Sequence, residues 1–141
     1  MVNAPSIFVV DDLRHFKDEV LKSLDPESHI QICRTSQSAV ETLDADRRHW
    51  DQFWFDHDLG TLDGTEDGEV DDTMAVVDYL IFRARQGDPV SVESYIIHSS
   101  NPAGVRNIAL ALSSIGRDCV IVDPSNFFFV PETETPASDI L

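Results

Sequence analysis

Cysteine is nearly absent from this chain of 141 residues: Cys33 and Cys119 each stand alone inside an apolar run, with no Cys-x-x-Cys pair and no histidine-rich neighbourhood. That argues against a thiolate zinc site, and both residues read as buried, reduced members of a core. Cations are scarce too. Ten Lys and Arg face 26 Asp and Glu, a formal charge of −16. Direct binding to nucleic acid or to an anionic membrane is therefore not expected, because both are polyanions. Long hydrophobic runs are missing as well: nothing approaches the roughly 18 apolar residues of a membrane span. Met1 to Ser6 has neither the basic nor the apolar region of a secretion signal, so a cytoplasmic protein is the expectation. Much of the acidity is expected simply to solvate the surface. The sharper question is where the acids cluster.

What the chain does have is enough apolar material, 42% of its residues, to pack one core. One domain over 1–130 is predicted, followed by an acidic, Pro-containing tail, 131–141, with little to bury and expected to be mobile. Ile7 to Val10 is a β-branched and aromatic run ending in Asp11-Asp12, and Leu13, Phe16, Val20, Leu21 and Leu24 follow at near-helical spacing. Ile30 to Cys33 alternates as a second strand, and Thr35 and Ser36 offer caps for a helix carrying Ala39, Val40 and Leu43. Phe53 to Phe55 is the third strand, with Trp50 and Trp54 read as packing residues that flank it. It ends at Asp56-His57-Asp58-Leu59-Gly60, and a Gly- and acid-rich loop with no periodic apolar face runs on to Asp72.

Met74, Val77, Leu80, Ile81 and Ala84 mark a third helix, capped by Asp71 or Asp72 and stopped by Gly87 and Pro89. Tyr95 to Ile97 is a fourth strand leading into His98-Ser99-Ser100-Asn101-Pro102, where Asn101 fits an N-cap and Pro102 the first turn of the next helix. Val105, Ile108, Ala109, Leu112 and Ile115 face one way along it, Gly116 ends it, and Cys119 to Val122 is a fifth strand closed by Asp123-Pro124. Strands alternating with helices in this way predict an α/β fold, a three-layer, doubly wound, five-stranded parallel sheet with right-handed crossovers. Such sheets bind ligands beyond the carboxyl ends of their strands. The polar clusters fall there: Asp11-Asp12, Asp56-His57-Asp58, His98-Ser99 and Asp123.

An acidic pair after the first strand, Asp56 after the third, Gly64 eight residues beyond it and Ser99 at the end of the fourth resemble the receiver domains of two-component signalling. The resemblance spans about Ser6 to Pro124 and implies strand order 2-1-3-4-5 with Asp56 in the phospho-acceptor position. Two departures stand out. Receivers end the fifth strand with Lys-Pro, whereas this chain has Asp123-Pro124, so an anion replaces the cation that neutralises the acyl phosphate. The fifth helix is expected to be missing or replaced. The strings Val10-Asp11-Asp12-Leu13-Arg14, Phe55-Asp56-His57-Asp58-Leu59-Gly60 and His98-Ser99-Ser100-Asn101-Pro102 are similar to the cyclic-phosphate processing receiver domain, a variant found in bacteria and their phages. That resemblance implies an enzyme acting on a cyclic phosphate of nucleotide or RNA-end metabolism.

Opening a cyclic phosphodiester needs a positioned water, a base, an acid for the leaving oxygen and positive charge on the phosphoryl oxygens. Asp11, Asp12 and Asp56, with Asp58 through its side chain or carbonyl, form the candidate set for Mg²⁺ or Mn²⁺. His57 and His98 are the candidate base and acid, acting beside Asp56. The competing reading has either histidine bonding only to loop backbone, and a strand continuing through Asp58 would turn His57 away from Asp56. Arg14, Ser99 and Asn101 are candidate phosphate-binding residues. Arg14 can instead pair with a helix acid and the other two can cap the next helix, the role favoured for Asn101.

His15, His29 and His49 have no partners at ligand spacing and are given structural roles. Glu66, Asp67, Glu69, Asp71 and Asp72 lack the EF-hand pattern and are expected to form a solvated lid. Two other classes of function fit the composition: a non-catalytic degenerate receiver switched by metal or by phosphorylation at Asp56, and an acidic nucleic-acid mimic that captures a basic partner. The expected partner is a small phosphate-bearing ligand. A homodimer is also expected, because the absent helix leaves apolar surface that Phe127, Phe128, Phe129 and Val130 cover by folding back or by packing on a second copy.

Overall fold

The computed structural model describes residues 5–11, 29–56, 58–61, 70–98 and 101–122, the side chains of 58–61 and 70–71 apart. In chain order the elements are β1 (Ser6–Val10), β2 (His29–Cys33), α1 (Ser36–Ala45), β3 (Trp50–Phe55), β4 (Asp58–Thr61), β5 (Val70–Asp72), α2 (Met74–Arg85), β6 (Val92–Ile97), α3 (Pro102–Ser113) and β7 (Cys119–Ile121). Five strands make one parallel sheet in the order β2-β1-β3-β6-β7, which is 2-1-3-4-5 when only its own strands are counted. This is the order that the receiver resemblance implied.

The inner strands are apolar on both faces, as parallel strands covered on both sides must be. Phe8, Val10, Phe53, Phe55, Tyr95 and Ile97 pack with Ala39 and Leu43 of α1, Val76, Val77 and Leu80 of α2, and Val105, Ile108 and Leu112 of α3. Phe53 stacks between Phe8 and Phe55 at centroid distances of 4.7 and 4.6 Å, so truncating it would cost about 3–5 kcal/mol. Ile7, Val9, Trp54 and Ile96 form a second buried cluster, with Ile30, Ile32, Val120 and Val122 against it. The large apolar side chains exposed among the described residues are Phe82 and Leu110, on α2 and α3.

Helix ends follow the local chemistry. Thr35 and Ser38 make a capping box for α1, and Asn101 Oδ1 accepts the Gly104 N–H at 3.0 Å at the start of α3. The N-cap of α2 is Thr73, whose side chain makes no cap bond, while Asp72 Oδ1 accepts the Met74 N–H at 2.8 Å. At the other end of α2, Gly87 takes φ +76°, and the N–H groups of Gly87 and Asp88 reach back to Ala84 O and Arg83 O, a Schellman closure.

Two sequence expectations need correction. The third strand begins at Trp50, so both tryptophans lie within it, fully buried, rather than flanking it. The stretch after Asp56, read as a strand end running into a loop up to Asp72, carries the strands β4 and β5, which pair antiparallel with Asp58 opposite Asp72 and Thr61 opposite Val70. Backbone pairing needs no apolar alternation, and these polar arms have none to read. The proposed helix over Leu13 to Leu24, the run Phe127 to Val130 and the tail 131–141 lie outside the described residues. Among the described residues no helix is long and apolar enough to cross a membrane.

Candidate functional site

The hydrogen-bond ladder runs one residue past the carboxyl end of each central strand. Asp11 N–H donates to Cys33 O at 3.0 Å, Asp56 N–H to Val10 O at 2.9 Å, and His98 N–H to Phe55 O at 3.0 Å. Val10 is in register with Phe55, and Phe55 with Ile97, so Asp11, Asp56 and His98 occupy the next row across three neighbouring strands. Strand alternation puts that row on the face of Val9, Trp54 and Ile96. The rings agree: the His98 imidazole and the Trp54 indole have centroids 5.6 Å apart.

All three polar residues are buried, Asp11 at 0%, Asp56 at 5% and His98 at 2% exposure. His98 Nε2 stands 3.6 Å from Asp11 Oδ2, the two side chains meeting over the end of β3, where Asp56 sits. Burying two carboxylates on adjacent strands of one row is costly unless positive charge or a shared proton offsets it. The neighbouring His98 would supply one such charge only in its protonated form. A divalent cation would supply two, and Asp11 and Asp56 offer the hard oxygen donors that Mg²⁺ or Mn²⁺ selects. The residues therefore fit such an ion in kind. Its remaining oxygens would come from Asp12 and the Asp58 side chain, which lie outside the described set.

The structure thus brings together Asp11, Asp56 and His98 of the candidates named from sequence. Asn101 is used as the helix cap, and Asp58 opens β4 in the small antiparallel sheet directly after the crevice. Asp12, Arg14, His57, Ser99, Gly64 and Asp123 lie outside the described residues. Thr73 went unnoticed in the sequence. It is fully buried at the amino end of α2, and its Oγ1 has no hydrogen-bond partner among the described residues. His49 also needs correction: it is not isolated, because it gathers with Asp51 and Glu93 at the amino end of the sheet. Neither sequence neighbour signals this, since the grouping depends on how β3 registers against β6.

Two cavities of about 250 and 300 Å³ lie among residues that end α2 and α3 or precede β3 and β6. The first is lined by Arg47, Arg48 and Arg83. Asp46 and Asp88 already pair with those arginines at 2.6–3.3 Å, so their charge is committed.

The sequence model of a family described as the cyclic-phosphate processing receiver domain matches residues 6–114. No curated protein matches the chain. Among solved structures the chain is similar to the signal receiver domain of a putative Luxo repressor protein from Vibrio parahaemolyticus, with 16% identity, 85% of this chain and 78% of that one covered, and a TM-score of 0.49. A fusion of the yeast Spc42 trimeric coiled coil is 19% identical, with 88% of this chain and 69% of that one covered and a TM-score of 0.49.

Proposed function

The chain belongs to the cyclic-phosphate processing receiver domain family, and we propose that it is a metal-dependent phosphoesterase that opens a cyclic phosphate of nucleotide or RNA-end origin. The observation that carries this reading is the buried row of Asp11, Asp56 and His98, with the imidazole 3.6 Å from one carboxylate. An acid site of the receiver type needs no buried histidine to accept a phosphoryl group, whereas hydrolysis needs a proton carrier that works near neutral pH.

In the proposed reaction a water oxygen bonds to phosphorus while one phosphorus–oxygen ester bond of the ring breaks. One proton leaves the water and one reaches the departing alkoxide, giving a phosphomonoester and a free hydroxyl. His98 is assigned one of these transfers and His57 the other. Asp11 and Asp56, completed by Asp12 and Asp58, would hold Mg²⁺ or Mn²⁺. When bound, that ion clamps a phosphoryl oxygen and offsets the gathered negative charge. Arg14 and Ser99 are assigned the remaining phosphate oxygens.

The test is turnover with Mg²⁺ or Mn²⁺ on a panel of 2′,3′- and 3′,5′-cyclic nucleotides, cyclic oligonucleotides and ADP-ribose 1″,2″-cyclic phosphate. Hydrolysis of at least one is expected, and His98→Gln, which keeps most of the buried volume, should lower its kcat by roughly 10²-fold or more. No hydrolysis across the panel would overturn the reading.

A second reading rests on the position of Asp56, buried at the carboxyl end of the central strand β3 as a phospho-acceptor would be. In it the chain is a non-catalytic receiver that changes partners when Asp56 is phosphorylated. Treatment with acetyl phosphate followed by intact-mass measurement separates the two. A lasting gain of one HPO₃, absent in Asp56→Asn, favours the switch.

A further inference from the structure

Strands β3 and β6 run parallel with Trp50 beside Val92 and Gln52 beside Ser94. That register sets Asp51 next to Glu93, and His49, just before β3, next to Ser91. Residues two apart on a strand share a side, so the pairs 49/51 and 91/93 converge at the amino end of the sheet, opposite the crevice. From this juxtaposition we propose that His49, Asp51 and Glu93 form a second cation site, selective for a borderline transition ion of the Zn²⁺ class.

The ligating atoms of these three side chains all lie within 4.8 Å of one another. Two of the three are already oriented by partners outside the trio. His49 Nδ1 lies 2.6 Å from Ser91 Oγ, and the tautomer that donates Nδ1–H to this hydroxyl leaves the Nε2 lone pair facing the cluster. Such a partner on the far nitrogen is the usual companion of a ligating imidazole. Asp51 Oδ2 accepts the Ser6 backbone N–H at 2.7 Å, which frees Oδ1 to face His49.

The distance between them is informative. Nε2 and Oδ1 are 3.6 Å apart, beyond the 2.7–3.2 Å of an N–H···O hydrogen bond. Two ligands sharing one tetrahedral ion at 2.0–2.1 Å stand about 3.3 Å apart, so the gap is a few tenths of an ångström from that of a shared ion. Glu93 supplies a third donor from the neighbouring strand. His49 and Glu93 are exposed and Asp51 half-buried, so an ion can enter from solvent and keep an open coordination position. One imidazole with two carboxylates suits Zn²⁺ and its first-row neighbours better than Mg²⁺, which takes oxygens alone. The site is independent of the proposed phosphoesterase chemistry.

Titration calorimetry of the full chain with Zn²⁺, in millimolar Mg²⁺ to occupy the crevice, should show one Zn²⁺ equivalent. His49→Gln and Glu93→Gln should each weaken it at least tenfold, while Asp56→Asn leaves it in place. Both side chains are exposed, so the sheet tolerates their loss. Co²⁺ in place of Zn²⁺ should give visible absorption that His49→Gln abolishes. Absence of Zn²⁺ binding, affinity unchanged in either variant, or loss of binding in Asp56→Asn would each overturn the site.

Discussion

His98 and Tyr95 sit three residues apart, one just past the end of β6 and one inside it. Tyr95 is enclosed by Phe53, Phe55 and the Arg117 guanidinium, which lies 4.9 Å from its ring. Burial pushes its hydroxyl up from 10.0 to about 12, against the opposing pull of Arg117. Burial likewise raises the Cys119 thiol from 9.0 to about 11, with Asp118 adding to it. Both groups bind their protons more tightly folded than unfolded, so the unfolded chain releases them first as pH rises. The contribution of these two groups to stability is therefore complete below about pH 9 and falls between about pH 9 and 12. Urea midpoints measured from pH 8 to 12 should show this limb. Tyr95→Phe should flatten the part above pH 10. His98 was legible as a candidate because a polar residue at the end of an apolar strand stands out. Its approach to Asp11 was not, because the two belong to strands separated by β3.

At the scale of elements, strands and helices were legible wherever burial writes a period into the sequence. The run Ile7 to Val10, the stripe Val77, Leu80 and Ala84, and the stops at Gly87 and Gly116 all appear where expected. The arms β4 and β5 were invisible because their pairing is carried by backbone groups. The His49 cluster was invisible because it depends on register between β3 and β6, far apart along the chain. Asn101 marks a boundary between structure and function. Its side chain caps α3, so Asn101→Ala should cost about 1 kcal/mol in urea denaturation, and Asn101→Ser, which keeps a capping oxygen, should recover most of it. Turnover should recover with stability. If serine restores the helix and leaves activity low, the amide also contacts phosphate.

For the whole molecule the dominant quantity is the formal charge of −16, with two of the carboxylates, Asp11 and Asp56, drawn into the interior. A bound divalent ion relieves that concentration of charge only in the folded state, so it should stabilise folding. Millimolar Mg²⁺ or Mn²⁺ should raise the melting temperature, by an amount equivalent to about 2.7 kcal/mol when the ion is at 100 times its Kd, and EDTA should reverse it. Asp56→Asn should flatten the response. An unchanged melting curve with both metals would remove the ion from the proposed chemistry.

The row of Asp11, Asp56 and His98 also bears on biosynthesis. Its members leave the ribosome well apart in time, and each is set by the pairing of β1, β3 and β6. A chain still in synthesis at β3 carries both acids of the row and not yet His98. The row is complete only after β6 has emerged and paired beside β3, so under the proposed phosphoesterase reading a chain released before His98 would lack one of its two assigned proton carriers.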